Sequence, residues 1–200
     1  MRLLLVEGAD DQHVLWALLE RRGVAETFKI EQAGGFDPLL QRLPVDLKSS
    51  GLERIGVIVD ADQDASARWR AVRSVFRKAG FGDFPAEPEH NGLVFEQKDV
   101  RVGAWLMPDN DLPGMLEDFV GYLVPDADVI WPESEGFVDG LADSANRYKD
   151  VHSAKARIHA WLAVQDSPGS PMGQAITRRM LRHDGPQCDN LIDWLNRLFG

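Results

Sequence analysis

The chain carries one cysteine in 200 residues, Cys188. An intramolecular disulfide is thereby excluded, and a lone thiol suits a reducing compartment. Long apolar runs are missing as well. Nothing approaches the ~20 residues that cross a bilayer, and the opening MRLLLVEGADD turns acidic too soon for a signal peptide. Positive charge is in short supply: 22 Lys and Arg against 32 Asp and Glu leave a net charge of −10. That argues against a protein that coats nucleic acid through a basic surface. It leaves open an enzyme whose acids gather around metal ions. There is no low-complexity tract and no internal repeat. No His/Cys cluster has zinc-ligand spacing, and neither a GxSxG element nor a Walker loop occurs. The expectation is a soluble, cytoplasmic, globular chain, long enough to bury a full core and without a membrane partner.

What the chain does have is the stretch IGVIVDADQD, from Ile55 to Asp64. Ile55, Val57, Ile58 and Val59, with Gly56 among them, run straight into Asp60, Asp62 and Asp64. A strand buried on both faces of a parallel sheet reads this way, and open α/β sheets place their ligands at the carboxyl ends of such strands. Alternation along an extended chain sends Asp60 and Asp62 to the same side. Carboxylates crowded there repel one another unless something neutralises them, which a divalent cation does well. A plainer reading stands beside this one: a strand ending in a solvated acidic turn, with Asp64 capping the next helix.

Upstream, Leu3 to Val6 form a short apolar strand ending at Glu7-Gly8. Asp10 or Asp11 opens a helix whose Val14, Leu15, Leu18 and Leu19 keep helical spacing, and Gly23 stops it. Phe28 and Ile30 predict a second strand, broken by Gly34-Gly35, and a helix follows over Pro38–Leu43. After the central strand comes a helix holding Trp69, Val72, Val75 and Phe76, closed by Gly80. This β-α-β-α-β-α order is that of a mostly parallel, doubly wound, Rossmann-like α/β sheet flanked by helices. Gly80 to Gly92 reads as a loop. Leu93–Phe95 and Val100–Met107 read as strands joined by a polar turn at Gln97-Lys98-Asp99. Pro108–Pro113 then feeds the helix GMLEDFVGYLV. From Trp131 onward the pattern is helical, interrupted at Ser167–Pro171, with Ser170 as a cap and Pro171 as the first position of the next helix. The division expected is an α/β core over 1–125 and a helical extension over 126–200, or else one unit over 1–200. Trp16, Trp69, Trp105 and Trp161 are expected in the core, Trp131 and Trp194 in the core or on a contact surface, and His13 on an exposed helix face.

Glu7 and the Asp60/Asp62 pair occupy two strand ends that open on the same side of a doubly wound sheet, so they can converge across a long sequence separation. Gly8 lets the backbone approach another group closely, and Asp11 sits one helical turn beyond Glu7. These residues resemble a family. VEGADD is similar to the VEGxxD element, and VDADQD to the DxDxD element, of the Toprim superfamily, which includes domains of topoisomerases, bacterial primases and the overcoming-lysogenization-defect nucleases. The pair covers roughly the first ~85 residues. PDNDLPGMLEDFV and SAKARIHAWLAVQDSPGSPMGQAI resemble a small prokaryotic Toprim-like family in which the domain stands nearly alone.

The resemblance implies one or two Mg²⁺ or Mn²⁺ ions held by Glu7, Asp60 and Asp62, with Asp11 and Asp64 assisting. It also implies a further acid and a lysine downstream, matched by Glu117 and Lys155, and a nuclease acting on DNA or RNA. Hard cations take oxygen ligands and can activate a phosphodiester and its attacking water. Two alternatives remain beside it: a binding module that holds metal and nucleic acid but cleaves only with a protein partner or not at all, and phosphotransfer on a small nucleotide. The supporting residues have plainer readings too. Glu117 and Asp118 would meet the dipole at a helix start. Lys149, His152, Lys155 and His159, opposite Val151, Ile158 and Leu162, would be the solvated face of an amphipathic helix.

Overall fold

The computed structural model describes every residue except Lys98, Asp143 and Ser144; the expected turn at Gln97-Lys98-Asp99 thus falls partly outside the described residues. Five strands form one sheet: β1 (Arg2–Val6), β2 (Lys29–Gln32), β3 (Arg54–Asp60), β4 (Leu93–Gln97) and β5 (Val100–Met107), in the order β2-β1-β3-β5-β4. All neighbours run parallel except β4, which closes the edge antiparallel to β5. The helices are α1 (Ala9–Arg22), α2 (Phe36–Asp46), α3 (Ala65–Lys78), α4 (Leu116–Gly121), α5 (Ile130–Asp139), α6 (Ser153–Ala163), α7 (Met172–Thr177) and α8 (Pro186–Phe199). The fold is α/β, with a mostly parallel sheet flanked by helices and a helical C-terminal region.

Period-two alternation sorts the strand residues to two cores. Leu4, Val6, Ile58 and Trp105 face a layer built from α1, α4, α6, α7 and α8. Leu3, Leu5, Ile55, Val57 and Val59 face α2 and α3. The chain winds outward from β1 to β2, then returns to place β3 on the other side of β1, so the switch point of the sheet lies between β1 and β3. Ligand crevices of open α/β sheets form at such a point.

The C-terminal helix packs on the sheet through glycine. Gly56 of β3 and Gly103 of β5 are partners in register, and a Cβ at either would come within 2.6 and 2.7 Å of Leu198. Two side-chain-free positions side by side thus make the groove that α8 occupies, the usual reason for glycine inside a strand. Residues from both proposed parts of the chain therefore share one apolar cluster.

Several expectations need correction. Trp16 is 42% exposed, on the outer face of α1 beside His13, because the buried stripe of that helix is already filled by Val14, Leu15, Leu18 and Leu19. Trp194, by contrast, is fully buried. The C-terminal part is less continuously helical than its apolar spacing predicts: α5 stops at Asp139, and among the described residues the next helical element is a 3₁₀ turn at Asp150–His152. Arg178–Gly185 separates α7 from α8. Pro171, not Ser170, is the N-cap of α7. The helix GMLEDFVGYLV is shorter than expected, its regular part running from Leu116 to Gly121.

Candidate functional site

Glu7 lies just past β1 and Asp60 ends β3, on either side of the switch point. The Asp60 backbone N–H donates to Glu7 Oε1 at 2.9 Å, which ties the Glu7 side chain to the end of β3 across 53 residues of sequence. The turn after β2 wraps over the same place: Gly34 and Gly35 both donate their N–H groups to the Glu7 carbonyl, at 2.9 and 2.8 Å. Both have positive φ, 89° and 122°, a backbone that glycine adopts without strain.

At the start of α1 both acids line the strand ends, Asp11 buried and Asp10 exposed at the outer edge, which resolves the ambiguity in VEGADD. Asp11 Oδ2 accepts from the Gly8 N–H at 2.9 Å, and the side chain is buried. The same closure recurs at α4, where Asp118 Oδ2 accepts from the Met115 N–H at 2.8 Å. Asp118 is therefore a helix cap, whereas its neighbour Glu117, only 5% exposed, faces the strand ends. Asp60 Oδ1 accepts from the Leu116 N–H at 2.9 Å, so α4 is docked directly onto the end of β3. Lys155 from α6 reaches Glu117 Oε1 at 2.8 Å.

These groups line one hollow of about 400 Å³. Six acids (Glu7, Asp10, Asp11, Asp60, Asp62 and Glu117) face it, against Lys155 and His152 as its basic residues. Burial and mutual repulsion raise the pKa values of three of these acids, Asp60, Asp11 and Glu7. Desolvation, then the charges of Asp11, Glu7 and Glu117, push Asp60 up to about 8. Desolvation, only partly offset by the Gly8 N–H, raises Asp11 to about 7. Burial raises Glu7 too, opposed by the Asp60 N–H and by Arg68. The hydrogen bond to Glu117 moves Lys155 upward, which keeps its ammonium charged.

The donor set fits a hard divalent cation. It is oxygen-only and acidic, and the bonds named above engage one oxygen each of Glu7, Asp11, Asp60 and Glu117. Among the described residues, no group of three His, Cys, Asp or Glu side chains is gathered closely enough to hold an ion by itself. A Mg²⁺-like mode fits that arrangement, with one or two carboxylates as ligands and the remaining positions filled by water and phosphate.

Two acids of the DxDxD element behave differently from the others. Beyond Asp60 the chain leaves the extended conformation: Asp62 has φ 49° and exchanges two backbone hydrogen bonds with Gly114, at 2.7 and 2.8 Å. Strand alternation therefore does not govern its direction. Its carboxylate lines the hollow but is paired with Arg68. Asp64 lies outside the hollow and caps α3, accepting from the Ala67 N–H at 2.8 Å, as the plainer reading had it. Asp64→Ala is expected to lower the melting temperature by about 3 °C, the effect of losing an N-cap worth about 1 kcal/mol. Mn²⁺ affinity measured by titration calorimetry should be unchanged.

The expected basic stripe is divided. His152 and Lys155 face the hollow. Lys149 precedes the 3₁₀ turn and so is not on the helix at all, and His159 is exposed elsewhere on α6. Sequence reasoning missed Arg68 and the Gly34-Gly35 amide pair. The double glycine was a usable signal; Arg68, one arginine of several in α3, gave none.

Fold and site together define an α/β protein with an acidic hollow at the switch point of its sheet. The chain belongs to the family described as "Protein of unknown function (DUF3226)", which matches residues 1–200. No curated protein and no solved structure matches it. No helix among the described residues is long and apolar enough to cross a membrane.

Proposed function

We propose that this chain is a Toprim-type phosphodiester hydrolase acting on DNA or RNA and dependent on Mg²⁺ or Mn²⁺. One observation carries the reading: Glu7 and Asp11 from one segment, Asp60 from a second and Glu117 from a third line a single hollow into which Lys155 reaches. Glu7 and Asp60 would hold the cation, with Asp11 and Glu117 beside them. A divalent ion there supplies polarisation of the phosphodiester and an activated water. The residues do the rest. The Gly34 and Gly35 amides and the Asp60 N–H fix Glu7 by its carbonyl and its side chain. The Leu116 N–H sets the rotation of the Asp60 carboxylate. Glu117 holds Lys155 protonated, so that its ammonium offsets charge developing on the phosphate oxygens. A raised lysine pKa makes it a poor proton donor near neutrality, which favours that electrostatic role over protonation of the leaving oxygen.

The net charge of −10 and the absence of a ready three-carboxylate cluster among the described residues favour a second reading: a module that binds cation and nucleic acid but cleaves only with a partner. Cleavage of labelled single- and double-stranded DNA and RNA in Mn²⁺ separates the two. Hydrolysis should be present in the wild type and reduced about 100-fold or more in Glu7→Gln, which deletes a cation ligand. Binding without turnover in the wild type would favour the second reading, and equal turnover in both proteins would place the activity elsewhere.

A further inference from the structure

We infer that Arg68 is a phosphate-binding residue for the nucleic-acid strand beside the cleaved bond, and that Asp62 is its positioning residue and not a cation ligand. This rests on the hydrolase reading and departs from the role that the DxDxD resemblance implies for Asp62. Three observations carry it. The Arg68 guanidinium lies over the Phe36 ring, 3.9 Å from its centroid, a cation–π contact that restrains the side chain. The Asp62 carboxylate pairs with its edge, and Asp62 is itself locked by its two backbone bonds to Gly114. Asp62 lines the hollow, as does Gly35 next to Phe36, so both partners of Arg68 adjoin it, and the Arg68 charge is felt at Glu7.

A guanidinium offers five N–H donors, more than one carboxylate can take. Among the described residues, Asp62 is the sole ion-pair partner of Arg68. Its flat fork matches a phosphate's oxygens, and the restrained, half-buried side chain has already lost the freedom that binding would otherwise cost. The placement also makes sense of the acidic surroundings. Lys155 belongs to the helix layer on one face of the sheet and Arg68 to the layer on the other. A strand laid across the carboxyl ends of β1 and β3 would meet a cation on each side of the carboxylates. Two cations at fixed points can serve one strand where a broad basic groove is lacking.

The test compares the wild type with Asp62→Asn, Arg68→Gln and Asp60→Asn in two measurements. The first is Mn²⁺ affinity by titration calorimetry. The second is binding of a labelled single-stranded oligonucleotide in Ca²⁺, by anisotropy over a series of salt concentrations. Asp62→Asn should keep Mn²⁺ affinity within about twofold, against a ~10–100-fold loss in Asp60→Asn. Arg68→Gln should weaken the oligonucleotide about tenfold and lower the salt slope by about 0.7, the value of one phosphate contact on a single strand. Asp62→Asn should shift both in the same direction by less. A loss of Mn²⁺ affinity in Asp62→Asn as large as in Asp60→Asn would make Asp62 a ligand and overturn the inference while leaving the hydrolase reading standing. An unchanged salt slope in Arg68→Gln would overturn it equally. Failure of the wild type to bind Mn²⁺ or the oligonucleotide would sink both.

Discussion

Replacing Asp60 by asparagine is expected to raise the melting temperature of the metal-free protein at pH 8 by about 5 °C or more, by removing a charge-burial penalty of up to about 5 kcal/mol, while abolishing cation-dependent cleavage. The two effects have one cause. Asp60 ends β3 among Asp11, Glu7 and Glu117, and burial with repulsion pushes its pKa up to about 8, from about 3.9 in an unfolded chain. Between those values the folded protein holds a proton that the unfolded chain has released. Stability must therefore fall as pH rises across this window. The penalty is absent below about pH 4 and complete above about pH 8. Asparagine keeps an oxygen for the Leu116 N–H and turns amide donors toward neighbouring carboxylates, so the packing survives and the charge does not. Melting curves at pH 5 and pH 8 should show the wild type losing more stability than Asp60→Asn over that range. Mn²⁺ should restore the wild type at pH 8 and do little for the variant.

Trp194→Ala should cost 3–5 kcal/mol, the order found for emptying a buried aromatic site, which for a chain of this length lowers the melting temperature by about 10 °C or more. The indole is fully buried and tilted against Trp105 at a centroid separation of 5.6 Å. Its Nε1–H donates to the Leu93 carbonyl at 2.8 Å. Removing it opens a cavity between α8 and the sheet and strips a buried carbonyl of its donor, two separate penalties. Trp16→Ala is the internal comparison: its ring is 42% exposed, and the change should stay within about 0.5 kcal/mol. A large effect at Trp16 would mean that a partner covers α1.

The legible parts of this chain were those where one local pattern determines the outcome. The aliphatic runs of β1 and β3 admit few readings, and Gly23, at φ 63°, stops α1 where a glycine should. That Glu7 and Asp60 would meet followed from topology, since the carboxyl ends of parallel strands open on one side of a sheet. Asp62 shows where the pattern failed. Alternation holds only while the chain stays extended, and the chain turns at Asp62 to pair with Gly114, a partner 52 residues away that no local pattern reveals. Trp16 failed for a related reason: helical spacing identifies a buried stripe, but a bulky ring just off that stripe can pack or protrude according to what the neighbouring helix offers. Gly173 brings α7 so close that a Cβ there would lie 2.7 Å from the His13 carbonyl, an approach made beside Trp16 that the spacing within α1 does not reveal. Arg68 was invisible because its meaning depends on Phe36, in a different helix.

In the proposed site, acids from distant segments share one cation at the switch point of the sheet. Anomalous diffraction from crystals soaked in Mn²⁺ at pH 8 tests it most directly. A peak about 2.1–2.2 Å from carboxylate oxygens of both Glu7 and Asp60, lost in Asp60→Asn crystals, is the result expected. A saturating soak that leaves the hollow without a peak, or places manganese only at acids outside it, would contradict the account.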